Sequence, residues 1–99
     1  MDELRQEDTE AIGSDPTLLL VDDDKPFLQR LARAMESRGF QVTTAESVEE
    51  GIAAAKAAAP AYAVVDMRLG DGNGLDVIEA IRSRRADTRA IVLTGYGNI

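Results

Sequence analysis

Residues 18–24 read LLLVDDD, so four consecutive apolar residues, Leu18 to Val21, run directly into three aspartates. An uninterrupted apolar run of this length is typical of a strand that is buried on both faces of a parallel sheet. Two further runs have the same character, residues 62–65 and 90–93. We therefore interpret residues 18–21 as the first strand of a parallel sheet, with a polar edge beginning where that strand ends.

Helical patterns separate these strands. Pro26 suits the first turn of a helix whose apolar residues recur at helical spacing, and Gly39 suits its end. Ser47, with Glu50 three positions later, is a capping-box signature for a second helix, which we expect to stop at Pro60.

A third helix is marked by Leu75, Ile78 and Ile81. A half-exposed second strand, alternating from Phe40 to Thr44, lies between the first two helices, and a glycine-rich loop is expected from Met67 to Gly74. Strands that alternate with helices and short connections predict an α/β domain, with a parallel sheet and helices on both faces.

Composition limits the chemistry of this chain. Its 99 residues include no cysteine and no histidine, which excludes thiolate nucleophiles, disulfides, imidazole catalysis and imidazole metal sites. The net charge of −7 argues against nucleic acid binding by this chain itself. No apolar run is long enough to cross a membrane, and the acidic first residues do not resemble a secretory signal.

The acidic charge is concentrated at the start of the chain. Residues 1–16 have a net charge of −5 and few large apolar side chains, whereas residues 17–99 have a net charge of only −2. We expect residues 1–16 to be an acidic flexible leader and residues 17–99 to be the folded domain.

The polar edge of the sheet is the candidate site. If the strand order is 2-1-3-4, the first and third strands are neighbours about 5 Å apart, and Asp22, Asp23 and Asp66 converge. Clustered carboxylates repel one another unless they are neutralised, and oxygen-only ligands favour Mg²⁺. A carboxylate beside Mg²⁺ can accept a phosphoryl group, and the Thr94 hydroxyl can donate to it. The plainer alternative is that Asp22 to Asp24 cap a helix and Asp66 forms a turn.

Three segments carry a family resemblance: residues 19–24 (LLVDDD), 64–75 (VVDMRLGDGNGL) and 91–96 (IVLTGY). In this order and spacing they resemble the receiver domain of two-component response regulators. The segments DMRLGDGNGL and LTGYGNI are similar to the corresponding sequences of the redox and photosynthesis regulators of the RegA, PrrA and ActR group.

The resemblance implies a flavodoxin-like, or CheY-like, fold with strand order 2-1-3-4. It implies that Asp66 is the phosphoacceptor, receiving a phosphoryl group from a sensor histidine kinase, and that Thr94 is the switch hydroxyl. Mg²⁺ would be held by the acidic pair Asp22 and Asp23, by Asp66 and by the backbone carbonyl of Arg68. The parent protein would be a cytoplasmic regulator that controls transcription through a DNA-binding domain.

Two departures from the family pattern stand out. Gly70 occupies a position where many receivers have proline. The fourth helix, the fifth strand with its aromatic residue and terminal lysine, and the fifth helix are not found in this sequence, so we expect residues 17–99 to be a truncated receiver. The apolar fourth strand would then be an exposed edge through which the chain self-associates.

Two alternatives remain open. A haloacid dehalogenase-like phosphotransferase also begins with two aspartates after its first strand, which Asp22 and Asp24 fit, but Pro26 departs from that family's pattern. A receiver fold that binds partners without accepting phosphate is the other. We expect a phosphoacceptor signalling domain rather than an enzyme, with self-catalysed phosphotransfer at most.

Overall fold

The computed structural model describes residues 13–94. Of the leader expected over residues 1–16, only residues 13–16 fall within this range, and the motif residues Gly95 and Tyr96 lie outside it. The elements are, in chain order, β1 (Thr17–Val21), α1 (Lys25–Glu36), β2 (Gln41–Ala45), α2 (Val48–Ala57), β3 (Tyr62–Asp66), β4 (Arg68–Leu69), β5 (Gly72–Asn73), α3 (Gly74–Arg84) and β6 (Arg89–Leu93).

The main sheet is parallel and has the order β2-β1-β3-β6, so β6 is its fourth strand. The predicted order 2-1-3-4 is therefore confirmed. The segment from Met67 to Gly74 differs from the expected loop, because β4 and β5 form a small antiparallel ribbon within it. Strands of two residues are too short to produce a periodic signal in the sequence.

Apolar side chains of β1 point alternately to the two faces of the sheet, and each face has its own core. Leu19 and Val21 pack with α2 and α3, whereas Leu18 and Leu20 pack with α1. All four side chains are nearly inaccessible to solvent. The prediction of a strand buried on both faces, with helices covering both, is confirmed.

One detail of the predicted helices is wrong. α2 ends at Ala57, three residues before Pro60, because the chain turns at Ala58 to enter β3. The third helix marked by Leu75, Ile78 and Ile81 is found as α3, with Leu75 43% exposed and Gly74, Val77 and Ile81 buried. None of the helices within residues 13–94 is long and apolar enough to cross a membrane.

The helix caps follow the sequence closely. The Asp24 side chain accepts a hydrogen bond from the Phe27 N–H at 3.1 Å, so one of the three consecutive aspartates does cap α1. Ser47 Oγ accepts from the Glu50 N–H at 3.0 Å. The reciprocal bond of the capping box is shifted by one residue, because Glu50 Oε1 accepts from Glu46 N–H at 2.8 Å.

Strand β6 lies at one edge of the described sheet, paired only with β3. Ile91 on this strand is 61% exposed. Beside it lies an apolar cavity of about 370 Å³, lined by Leu18, Met35, Phe40, Tyr62, Ala63, Val64, Arg89, Ala90 and Ile91. Self-association through this strand stays a prediction.

Asp15, which we assigned to the leader, is bonded to the folded domain. Its carboxylate accepts hydrogen bonds from the Thr17 N–H at 3.0 Å and the Thr17 hydroxyl at 2.7 Å, and from Arg85 Nη1 at 2.7 Å. These bonds, those from Thr17 first, lower the pKa of Asp15 to about 2. The entry to β1 is therefore fixed to the end of α3.

We predict that Asp15→Asn lowers the free energy of unfolding at neutral pH and makes unfolding less sensitive to acid. Because folding depresses the pKa of Asp15 from about 3.9 to about 2, its stabilising contribution is complete above pH 5 and is lost as the pH falls toward 2. Denaturant melts at pH 7, 4 and 2.5 should show the difference between wild type and variant shrinking with acid. A constant difference across this range would contradict the assignment.

Candidate functional site

Three carboxylates meet at the carboxyl edge of the sheet. Asp22 follows β1 directly and Asp66 ends β3, and the register that pairs Val21 with Val65 places these strand ends side by side. One oxygen from each of Asp22, Asp23 and Asp66 lies within 4.8 Å of the other two. The convergence predicted from the sequence is confirmed.

The three acids line an open pocket of about 440 Å³. The other lining residues are Asp24, which is the N-cap of α1, and residues of the segment after β3. Asp22 is buried, Asp66 is half-buried and Asp23 is exposed. The lining residues are Asp22, Asp23, Asp24, Asp66, Arg68, Leu69 and Gly70. The pocket thus contains carboxylates that differ in their exposure to solvent.

Backbone N–H groups orient two of these carboxylates. Asp22 Oδ1 accepts from the Asp24 N–H at 2.8 Å. Asp66 Oδ1 accepts from the Arg68 N–H at 3.2 Å, a longer bond that joins the end of β3 to the ribbon. Asp24 turns its own carboxylate to the N-terminus of α1 and so serves the helix rather than the acidic cluster.

The site carries unfavourable charge in the protein alone. Burial raises the pKa of Asp22 above its usual range, although the hydrogen bond from the Asp24 N–H acts in the opposite direction. The negative charges of the neighbouring aspartates, that of Asp66 first, raise the pKa further. A bound cation would therefore offset the electrostatic repulsion among these carboxylates and the cost of burying the charge of Asp22.

The three carboxylates fit a hard divalent cation. Mg²⁺ prefers oxygen ligands at about 2.1 Å, so opposite ligands lie about 4.2 Å apart. Neighbouring ligands of the same octahedron lie only about 3 Å apart, so the three oxygens, which lie within 4.8 Å of one another, would have to move closer together to share one ion. The pocket is large enough to leave water in the remaining coordination positions.

Of the other two residues predicted for the site, one lines the pocket and the other follows the strand next to β3. Arg68 lines the pocket. Thr94 follows Leu93, the register partner of Asp66, and its side chain is exposed. The Met67 N–H also donates to the Leu93 carbonyl at 2.9 Å, which ties the residue after Asp66 to the residue before Thr94.

Two residues of the 67–74 segment, which we expected to be a loop, bond to the N-termini of helices. Asn73 caps α3, its side chain accepting from the Leu75 N–H at 2.8 Å. Asp71 accepts from the Val48 and Glu49 N–H groups of α2, at 2.8 and 3.1 Å. The Asn73 cap could have been inferred from N-cap preference, whereas no local signal connects Asp71 with a helix more than twenty residues away.

Gly74 allows α3 to start directly against the phosphoacceptor candidate. A methyl group built at Gly74 would overlap the backbone carbonyl of Asp66 and lie 2.9 Å from a methyl group of Val65. The Gly74 N–H donates to the Met67 carbonyl at 2.8 Å. Only glycine permits this approach, so the position of the Asp66 backbone depends on it.

A parallel sheet of this order, with an acidic pocket at its carboxyl edge, defines a CheY-like receiver. Residues 18–99 match the family model described as the response regulator receiver domain. The chain belongs to this family and is the receiver domain of a two-component response regulator.

Proteins that are similar in sequence support this family membership. The acid tolerance regulatory protein ActR of Sinorhizobium medicae is 71% identical over 92 residues, which are 93% of this chain and 47% of that protein. The photosynthetic apparatus regulatory protein RegA of Cereibacter sphaeroides is 67% identical, over 89% of this chain and 48% of that protein. The chain thus spans about half the length of these relatives, and the predicted similarity to the RegA and ActR group is confirmed.

Solved structures share the fold. A response regulator protein from Burkholderia pseudomallei with a phosphorylated aspartic acid, calcium ion and citrate has a TM-score of 0.78 and 36% identity, covering 86% of this chain and 50% of that chain. The response regulator TrrA from Thermotoga maritima in complex with Mg²⁺–BeF has a TM-score of 0.73 and 27% identity, covering 82% and 70%.

We predict that Gly74→Ala lowers the free energy of unfolding by about 1–3 kcal/mol, the usual penalty for overpacking, because the added methyl overlaps the Asp66 carbonyl. Chemical denaturation measures the effect. Gly70→Ala is the matched control, since its methyl would lie 3.9 Å from Asp23 Oδ2, at ordinary contact distance. Equal stability of the two variants would contradict this role of Gly74.

We further predict that Asp22→Asn stabilises the metal-free protein at neutral pH, because it removes a buried negative charge that lies beside other aspartates. Folding raises the pKa of Asp22, so wild-type stability falls as the pH rises above about 4. The advantage of the variant should appear over that interval and disappear in acid. Asp76→Asn, at an exposed carboxylate in the first turn of α3, should give no such gain, because it removes a favourable helix-dipole interaction.

Proposed function

We propose that this receiver accepts a phosphoryl group on Asp66 in a Mg²⁺-dependent reaction. The observation that carries the proposal is the convergence of three carboxylates within 4.8 Å at the pocket, with Asp66 half-buried at its wall. The phosphorylated aspartic acid in the Burkholderia relative and the Mg²⁺–BeF in the Thermotoga relative support it.

Each residue has a distinct part in this reaction. The N–H of Arg68 fixes Asp66 through Oδ1, and we assign the other oxygen, Oδ2, as the nucleophile. It forms a bond to phosphorus while the bond between phosphorus and the donor nitrogen or oxygen breaks, and the donor leaves with that electron pair. The Thr94 hydroxyl, one residue beyond the register partner of Asp66, donates to the transferred group.

Asp22, Asp23, Asp66 and the Arg68 carbonyl are the residues we assign to Mg²⁺. Bound there, the ion would neutralise the charge of the pocket and of the incoming phosphoryl oxygens. Asp23, the exposed member of the cluster, is placed to bind a cation arriving from solvent, whereas buried Asp22 holds its orientation through the Asp24 N–H.

The proposed donor is a sensor histidine kinase, and the proposed setting is a cytoplasmic regulator of transcription. The named relatives are regulatory proteins of about twice this length, so DNA binding is assigned to a domain outside this chain. The net charge of −7 opposes direct contact with nucleic acid. Chemically, the chain is a phosphoacceptor and not a turnover enzyme.

We predict that Asp66→Asn abolishes labelling by acetyl phosphate, because the amide cannot form the acyl phosphate. Phosphate incorporation is measured by intact-protein mass, with and without Mg²⁺. Asp76→Asn, which removes an exposed carboxylate at the start of α3, should label as the wild type does. Labelling of Asp66→Asn at the wild-type rate would contradict the assignment.

The two alternative functions give different outcomes in the same assay. A partner-binding receiver that never accepts phosphate shows no mass increase in the wild type at saturating Mg²⁺ and acetyl phosphate. A phosphotransferase of the dehalogenase type consumes acetyl phosphate repeatedly, with Asp22→Asn rather than Asp66→Asn abolishing turnover.

A further inference from the structure

The N-terminus of α2 is capped by two different parts of the chain. Ser47, the residue before the helix, accepts from the Glu50 N–H at 3.0 Å. The first two N–H groups of the helix, those of Val48 and Glu49, instead donate to the two carboxylate oxygens of Asp71 at 2.8 and 3.1 Å. Asp71 is 23 and 22 residues away from them in the sequence.

Asp71 belongs to the segment that forms one wall of the acidic pocket. It lies at the turn between β4 and β5, next to Gly70, which lines the pocket. A methyl built at Gly70 would be 3.9 Å from Asp23 Oδ2, so the turn runs close to the acidic cluster. On the other side of the ribbon, Leu69 is buried in the same core as Val48.

We propose that Asp71 is a positioning residue for the metal site: its two hydrogen bonds to α2 hold the turn so that the Arg68 carbonyl stays within reach of a cation bound by Asp23 and Asp66. The inference rests on the proposed Mg²⁺-dependent function. Asp71 itself does not line the pocket, and it acts through the backbone of the turn.

The physical basis is the contrast between the two walls of the pocket. Asp22 and Asp66 are fixed by strands in the centre of the sheet, whereas the turn beyond Leu69 is an exposed segment paired only within the ribbon. Charge-assisted hydrogen bonds to helix N–H groups are stronger than neutral ones. The same two N–H groups hold the pKa of the Asp71 carboxyl below its usual range, so it is ionised when the metal binds.

Titration with Mg²⁺ alone, followed by the backbone amide shifts of the pocket residues, tests the inference. We expect Asp71→Ala to weaken Mg²⁺ binding about tenfold, the lower end of the usual effect of residues that orient metal ligands. Asp71→Asn retains one acceptor oxygen for the two N–H groups and should lose roughly threefold, an intermediate effect on the same scale.

Ser47→Ala is the matched control. It removes a cap from the same helix end, and so reduces stability in a similar way, but it leaves the connection between α2 and the turn intact. We expect its Mg²⁺ affinity to stay within about twofold of the wild type, while denaturant melts show that both alanine variants are destabilised.

The outcomes separate this inference from the function on which it rests. Wild-type affinity in a folded Asp71→Ala protein, or an equal loss of affinity in Ser47→Ala, overturns the positioning role and leaves the phosphoacceptor proposal in place. If the wild type itself does not bind Mg²⁺, both fail. The graded series of wild type, Asp71→Asn and Asp71→Ala, with Ser47→Ala unchanged, supports the role.

Discussion

The pairing of β1 with β3 is the constraint on which the site depends. These neighbouring strands are covered on both faces, and the residues that end their apolar runs, Val21 and Val65, are almost inaccessible. Sheet hydrogen bonds and apolar burial therefore hold Asp22 beside Asp66 despite their like charges. A shift of the register by one residue would turn every side chain of a strand to the opposite face, so the core that specifies the register also specifies the geometry of the acids.

The pocket combines this rigid wall with one assembled from a turn. The 67–74 segment is held by three kinds of contact: Leu69 enters the core, Asn73 caps α3 and Asp71 caps α2. Each satisfies backbone groups or buries apolar surface that would otherwise remain open. The hydrogen bonds that order the turn are thus the same ones that cap the N-termini of two helices. They stabilise both the wall of the pocket and the helices around it.

The sequence predicts those parts of the molecule whose causes are local. The apolar run of β1 and the Ser47 cap depend on neighbouring residues, and both are found as expected. Leu75 shows the limit of periodicity, because it fits the helical spacing of Ile78 and Ile81 and is nevertheless 43% exposed, whereas Val77 is buried. The contact between Asp71 and α2 depends on the folded chain, since nothing near residue 71 in the sequence indicates which N–H groups it meets.

The close approach at Gly74 has a mechanical consequence. Packed groups without free space between them move together, because close-packed interiors transmit displacement and do not absorb it. The first residue of α3 touches the carbonyl of Asp66 without room for a methyl group, and the Met67 carbonyl is bonded to the same residue. A displacement of the backbone at the end of β3 therefore also moves the first turn of α3. Because α3 is a rigid helix of eleven residues, its far end, away from the pocket, moves as well.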